Sequence, residues 1–140
     1  MNIDKFKHQH RDILDAIAAL RTLVHTGIAP HAADIAQRII AMSGLIKLHL
    51  AVEDRTLYPA LEASGNAALA RLSRHYRDEM DGIAGSYLAF ASKWNMPRLL
   101  VEQPEVFRDE ANHVLKLLYE RMKKEDREFY PAIEASAAHA

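Results

Sequence analysis

His49 and Glu53 stand four residues apart in a stretch otherwise dominated by apolar side chains. Glu79 follows His75, and Glu125 follows Arg121, at the same spacing. Four residues turn about 400° around an α-helix, so both members of each pair project from one face and can reach one ion. His10 joins them from the first helical stretch, four residues after Phe6 and four before Leu14. Burying charge without compensation is expensive, so such groups on inward faces need partners or a metal. Imidazoles mixed with carboxylates, with coordination positions left open, suit non-haem iron better than structural zinc.

The elements that must carry these residues read as four helices, over residues 4–26, 31–64, 67–93 and 104–135. Phe6, Ile13, Leu14, Ile17, Leu20 and Val24 form the first apolar stripe, and Ile35, Ile39, Met42, Leu45, Ile46 and Val52 the second, with His49 and Glu53 on it. Leu69, Leu72, Tyr76, Met80, Ile83, Tyr87 and Phe90 mark the third, and Phe107, Ala111, Val114, Leu118, Met122 and Phe129 the fourth. Gly27 with Pro30 stops the first helix, and Gly65-Asn66 makes the second turn. The stretch from Trp94 to Pro104, with two prolines, reads as the longest connection. Four amphipathic helices with short connections imply an all-α, antiparallel up-down-up-down bundle, one domain over residues 1–140.

Counting from the connections at about 1.5 Å per residue sets the heights. His10 and His49 fall near one level across the first hairpin, and His75 and Arg121 across the last. His10, His49, Glu53, His75, Glu79, Arg121 and Glu125 can then share one polar layer. His75 and Glu79 flank their stripe instead of centring it. His113 lies two turns, about 12 Å, from that level. With His8, His25, His31 and His139 it reads as structural or exposed.

An internal repeat supports this layout. Residues Glu53 to Ser64 match Glu125 to Ser136 at nine of twelve positions, with an offset of 72. Helices two and four are therefore related elements, as in a bundle made of two hairpins. Each copy carries a Tyr-Pro pair, Tyr58-Pro59 and Tyr130-Pro131. The tyrosines read as packing residues able to hydrogen-bond a ligand side chain. Pro59 should kink or shorten its helix.

Bulk composition narrows the function. The chain has no cysteine, which excludes disulfides, thiolate zinc sites and iron–sulfur clusters. A net charge of −1 and scattered basic residues argue against nucleic acid as a partner. No apolar h-region opens the chain, and no apolar run nears about 18 residues, so the expectation is a cytoplasmic protein with no membrane span. A monomer and a homodimer both fit.

The sequence resembles the hemerythrin-like (HHE) family over nearly its whole length. The resemblance rests on Phe6-Lys7-His8-Gln9-His10-Arg11-Asp12-Ile13-Leu14 and on His49-Leu50-Ala51-Val52-Glu53-Asp54 leading to Tyr58-Pro59. It rests also on His75 and on Glu125 leading to Tyr130-Pro131. It implies a four-helix bundle around two irons, with His10, His49, Glu53, His75 and Glu125 as ligands. One position departs: Arg121 stands where the family places a histidine, and a guanidinium cannot ligate while protonated. One iron is expected instead of two if Arg121 blocks the second site, with Glu79 as a substitute ligand.

Three functions compete. The first is an iron protein that binds or senses O2 or NO, or that handles iron. The second is a degenerate, mono-metal or metal-free bundle serving as a regulatory or interaction module, motivated by Arg121. The third is a ferritin-like oxidase, ranked last because its three-residue Glu–His spacing is absent.

Overall fold

Asn66 accepts a hydrogen bond from the backbone N–H of Leu69 and so opens a helix of 28 residues. The computed structural model describes residues 2–138, with side chains through residue 136. Among them the order is α1 (Asp4–Thr26), α2 (Ala32–Val52), α3 (Tyr58–Glu62), α4 (Ala67–Trp94), α5 (Pro97–Glu102), α6 (Pro104–Lys124) and α7 (Tyr130–Ala138). His139 lies outside the described residues. No strand occurs among them, and the fold is an all-α bundle.

Gly27 ends α1 at φ 147°, a value that favours glycine, and its N–H bonds to the Leu23 carbonyl. The expected Trp94–Pro104 connection is not bare loop. Pro97 starts the short α5, which buries Leu100 against the core.

Pro59 does not shorten its helix. The chain passes from α2 into α3 through a π-helical turn, Glu53–Leu57, in which the Tyr58 N–H reaches the Glu53 carbonyl five residues back. The second repeat does the same, with a π turn at Glu125–Phe129 and Tyr130 N–H on the Glu125 carbonyl. In a continuous α-helix each proline ring would crowd the carbonyl four residues earlier. The wider turn relieves that clash. The repeat therefore encodes the same backbone device twice.

The apolar core has two parts. The larger joins Ile13, Ile17, Leu20, Ile39, Met42, Met80, Tyr87, Phe107 and Leu118. The smaller, at the bundle end where the chain begins, joins Phe6, Leu57, Tyr58, Tyr76, Phe129 and Tyr130. The buried polar residues His10, His49, Glu53 and Glu125 lie in sequence between these two sets on the helices that carry them, and Arg121 lies beside Met122 of the larger set.

One expectation on hydropathy needs revision. The helical run Ala32–Glu62 is long and apolar enough, by length and composition, to cross a membrane. Ile35, Ile39, Met42 and Ile46 on it are core residues, and His49 and Glu53 on it are buried. Ile40 and Leu48 on the same run are 55% exposed, so part of its apolar character lies on the surface.

Candidate metal centre

The four-residue spacing on α2 places His49 Nε2 3.1 Å from Glu53 Oε1, with both side chains fully buried. From α1, His10 brings its Nε2 to 3.1 Å from His49 Nε2 and 3.4 Å from Glu125 Oε1. His10, His49 and Glu125 each offer a ligand atom, all within 4.8 Å of one another. Glu53 borders the same group through His49. Two imidazoles and two carboxylates from three of the long helical runs thus converge at one height.

Each imidazole is held by its outer nitrogen. His10 Nδ1 donates to Asp126 Oδ1 at 3.0 Å, and His49 Nδ1 donates to Gln9 Oε1 at 2.8 Å. Holding Nδ1 in this way turns both Nε2 atoms inward, the arrangement that orients imidazoles toward a metal. Tyr130 Oη lies 2.8 Å from His10 Nε2. Burial and the charges of Glu125 and Glu53 push the Tyr130 hydroxyl far above its usual range, so it stays protonated. Tyr58, its counterpart in the repeat, is buried with its hydroxyl unpartnered.

The carboxylates are the anomaly. Neither oxygen of Glu53 and neither oxygen of Glu125 has a hydrogen-bond partner. An unpaired polar group costs roughly 1–3 kcal/mol when buried, and more when charged. Burial pushes the Glu53 carboxyl upward; His49 pulls it down, and the charge of Glu125 adds to the rise. Burial disfavours a charged His10, yet its hydrogen bond to Asp126 and the nearby charge of Glu125 outweigh that and raise it to about 9. A cation among these groups would be held by both Nε2 atoms and by oxygens of the two carboxylates.

Arg121 is also buried, on the α6 side of the layer. Its Nε lies 3.5 Å from Glu125 Oε1 without hydrogen-bond geometry. Its guanidinium sits over the Tyr76 ring, 4.5 Å from the centroid, and donates to the Tyr76 carbonyl. His75 and Glu79 do not join the group. They pair with each other at 3.0 Å on an exposed face, with His75 60% exposed and Glu79 42%. Tyr76 takes the inward position instead, stacked on Phe129 at 4.4 Å. His75, one residue away, is rotated about 100° from that face. Besides His75, Glu79 reaches Arg121 Nη1, at 3.5 Å, and Lys124.

Gln9 and Asp126 are the site residues that spacing did not single out. Gln9 adjoins His10, and Asp126 adjoins Glu125, so each sits beside a ligand type in sequence. His8, His25 and His113 are exposed, and His31 is half-buried. Two surface pockets border the layer. One of about 160 Å³ has Arg121, Glu79 and Lys124 in its wall; the other, of about 580 Å³, has Asp126. The inward atoms themselves are closed to solvent.

The hemerythrin HHE cation-binding domain family matches the chain over residues 1–133. No curated protein and no solved structure gives a significant match. A family match over nearly the whole chain coincides with a buried imidazole–carboxylate cluster, and the protein belongs to the hemerythrin HHE cation-binding domain family.

Proposed function

We propose that this bundle holds non-haem iron and uses it to bind or sense a diatomic ligand, O2 or NO, or to handle iron. The observation that carries the reading is the set of four partnerless carboxylate oxygens on Glu53 and Glu125, facing two imidazoles already fixed by their outer nitrogens. His10, His49, Glu53 and Glu125 would hold the ion. Mixed nitrogen and oxygen donors favour iron over a structural zinc site. When bound, the iron supplies an open coordination position for a small ligand. The protein residues orient the imidazoles, exclude bulk water and keep the Tyr130 hydroxyl protonated beside His10. Closure of the centre behind Arg121 and Asp126 suits a diatomic better than a larger substrate.

A second reading, a metal-free interaction module, draws on the approach of Arg121 to Glu125. It is the weaker one. Of the two buried glutamates Arg121 comes near Glu125 alone, and its own Nε has no hydrogen-bond partner. An ion pair built to replace a metal should satisfy more than it leaves open.

The test is anaerobic loading with Fe(II), followed by metal analysis and a near-ultraviolet spectrum after exposure to air. Wild type should retain iron and show a ligand-to-iron absorption band. His49→Ala should lose both. Wild type free of iron after loading contradicts the reading.

A further inference from the structure

The internal repeat pairs Arg121 with His49. The two lie 72 residues apart, and each precedes its glutamate by four. One half of the molecule thus offers an imidazole 3.1 Å from its carboxylate, and the other a guanidinium 3.5 Å from its own. Position for position, a ligand has been exchanged for a permanent positive charge.

Arg121 is fixed in place. It is only 3% exposed. Its guanidinium lies over Tyr76, donates to the Tyr76 carbonyl, and has Glu79 at 3.5 Å on its outer side. The atom left without a partner is Nε, the one directed at Glu125. On the helix opposite, His75 is 60% exposed and paired with Glu79, which is itself 42% exposed.

Charge counting leads to the same place. Glu53, Glu125, Asp126 and Glu79 bring four negative charges to the layer, with Asp126 engaged by His10 and Glu79 shared between Arg121 and Lys124. One divalent ion, Arg121 and Lys124 bring four positive charges. A second divalent ion would leave an excess of positive charge in a dry interior and would sit in the unscreened field of the guanidinium.

We propose that Arg121 is a built-in cation that takes the place of a second metal ion and makes the centre mononuclear. The inference rests on the metal-binding reading above. It assigns His10, His49, Glu53 and Glu125 to one ion and assigns Arg121 the task of neutralising the remaining charge on Glu125.

Native mass spectrometry of the full chain, titrated with Co(II) alone, counts the ions. Wild type should saturate at one ion per chain. Arg121→His, which gives the second half the same His-x-x-x-Glu as the first, should saturate at two. Wild type taking two ions overturns the inference and leaves the metal-binding reading standing. Arg121→His still taking one ion overturns it as well. Wild type taking none overturns both. If Arg121→His does not fold, as read by circular dichroism, the wild-type count decides alone.

Discussion

Glu53 and Glu125 occupy equivalent places 72 residues apart, each the first residue of a π-helical turn and each with both carboxylate oxygens buried and unpartnered. Nothing about stability favours this arrangement. Two carboxylates in one apolar interior repel each other and lose hydration. Their placement makes sense as a site that gives up stability for binding.

Glu53→Gln therefore separates stability from function. The amide keeps the shape and removes the buried charge. In chelator-treated protein the variant should be more stable than wild type by about 1–3 kcal/mol, read by urea denaturation. In the same protein, metal content after loading should fall sharply. A variant that is less stable and binds metal normally would show that Glu53 is structural.

Asp126→Ala and Gln9→Leu test the outer grip on the imidazoles. Each removes the acceptor that fixes one Nδ1. Metal affinity should drop by roughly 10–100-fold, with the helical circular dichroism spectrum unchanged. An unchanged affinity in both variants would mean that the imidazoles need no such orientation.

Leu20→Ala, remote in sequence from the polar layer and fully buried, should do the reverse. It should lower stability by about 2–5 kcal/mol, the usual effect of a leucine-sized cavity. The number of metal ions bound should stay the same. Metal loss in the folded variant would indicate that the centre depends on the distant core.

The metal-free protein should lose stability as pH rises. His10 is held up to about 9 in the folded chain, against an unfolded value near about 6.5. A raised imidazole contributes stability that is complete below the unfolded value and lost as pH climbs through about 9. The raised Glu53 carboxyl acts in the same direction, because the folded chain resists its ionisation. Metal binding must displace the inward proton of His10, so affinity should grow over the same interval. Urea melts at about pH 6 and about pH 9, with and without metal, should show opposite trends. A metal-free protein that gains stability toward about pH 9 contradicts the assignment of His10.

Much of this was legible in the residue order. The apolar stripes of Phe6 to Val24 and Phe107 to Phe129 carry the 3.6 period, and the bundle follows from them. Height was legible too, since His10, His49, Arg121 and Glu125 meet as a rise of about 1.5 Å per residue requires. Azimuth was not. His75 and Tyr76 are neighbours, and packing decides which one turns inward; the stacking of Tyr76 on Phe129 and under Arg121 settles it. The π turns were also hidden. The prolines signalled a disturbance, yet whether a helix kinks, ends or widens depends on what the following turn can bury. Here Tyr58, Leu61, Tyr130 and Ile133 are buried in the smaller core, and both helices run on.

The most direct measurement is an anomalous difference map from crystals loaded with Fe(II) and recorded on either side of the iron absorption edge. The account predicts one peak per chain, bounded by His10 Nε2, His49 Nε2, Glu53 and Glu125, with Arg121 still on Tyr76. A map with no peak among those side chains, or with iron bound instead between His75 and Glu79, would contradict it.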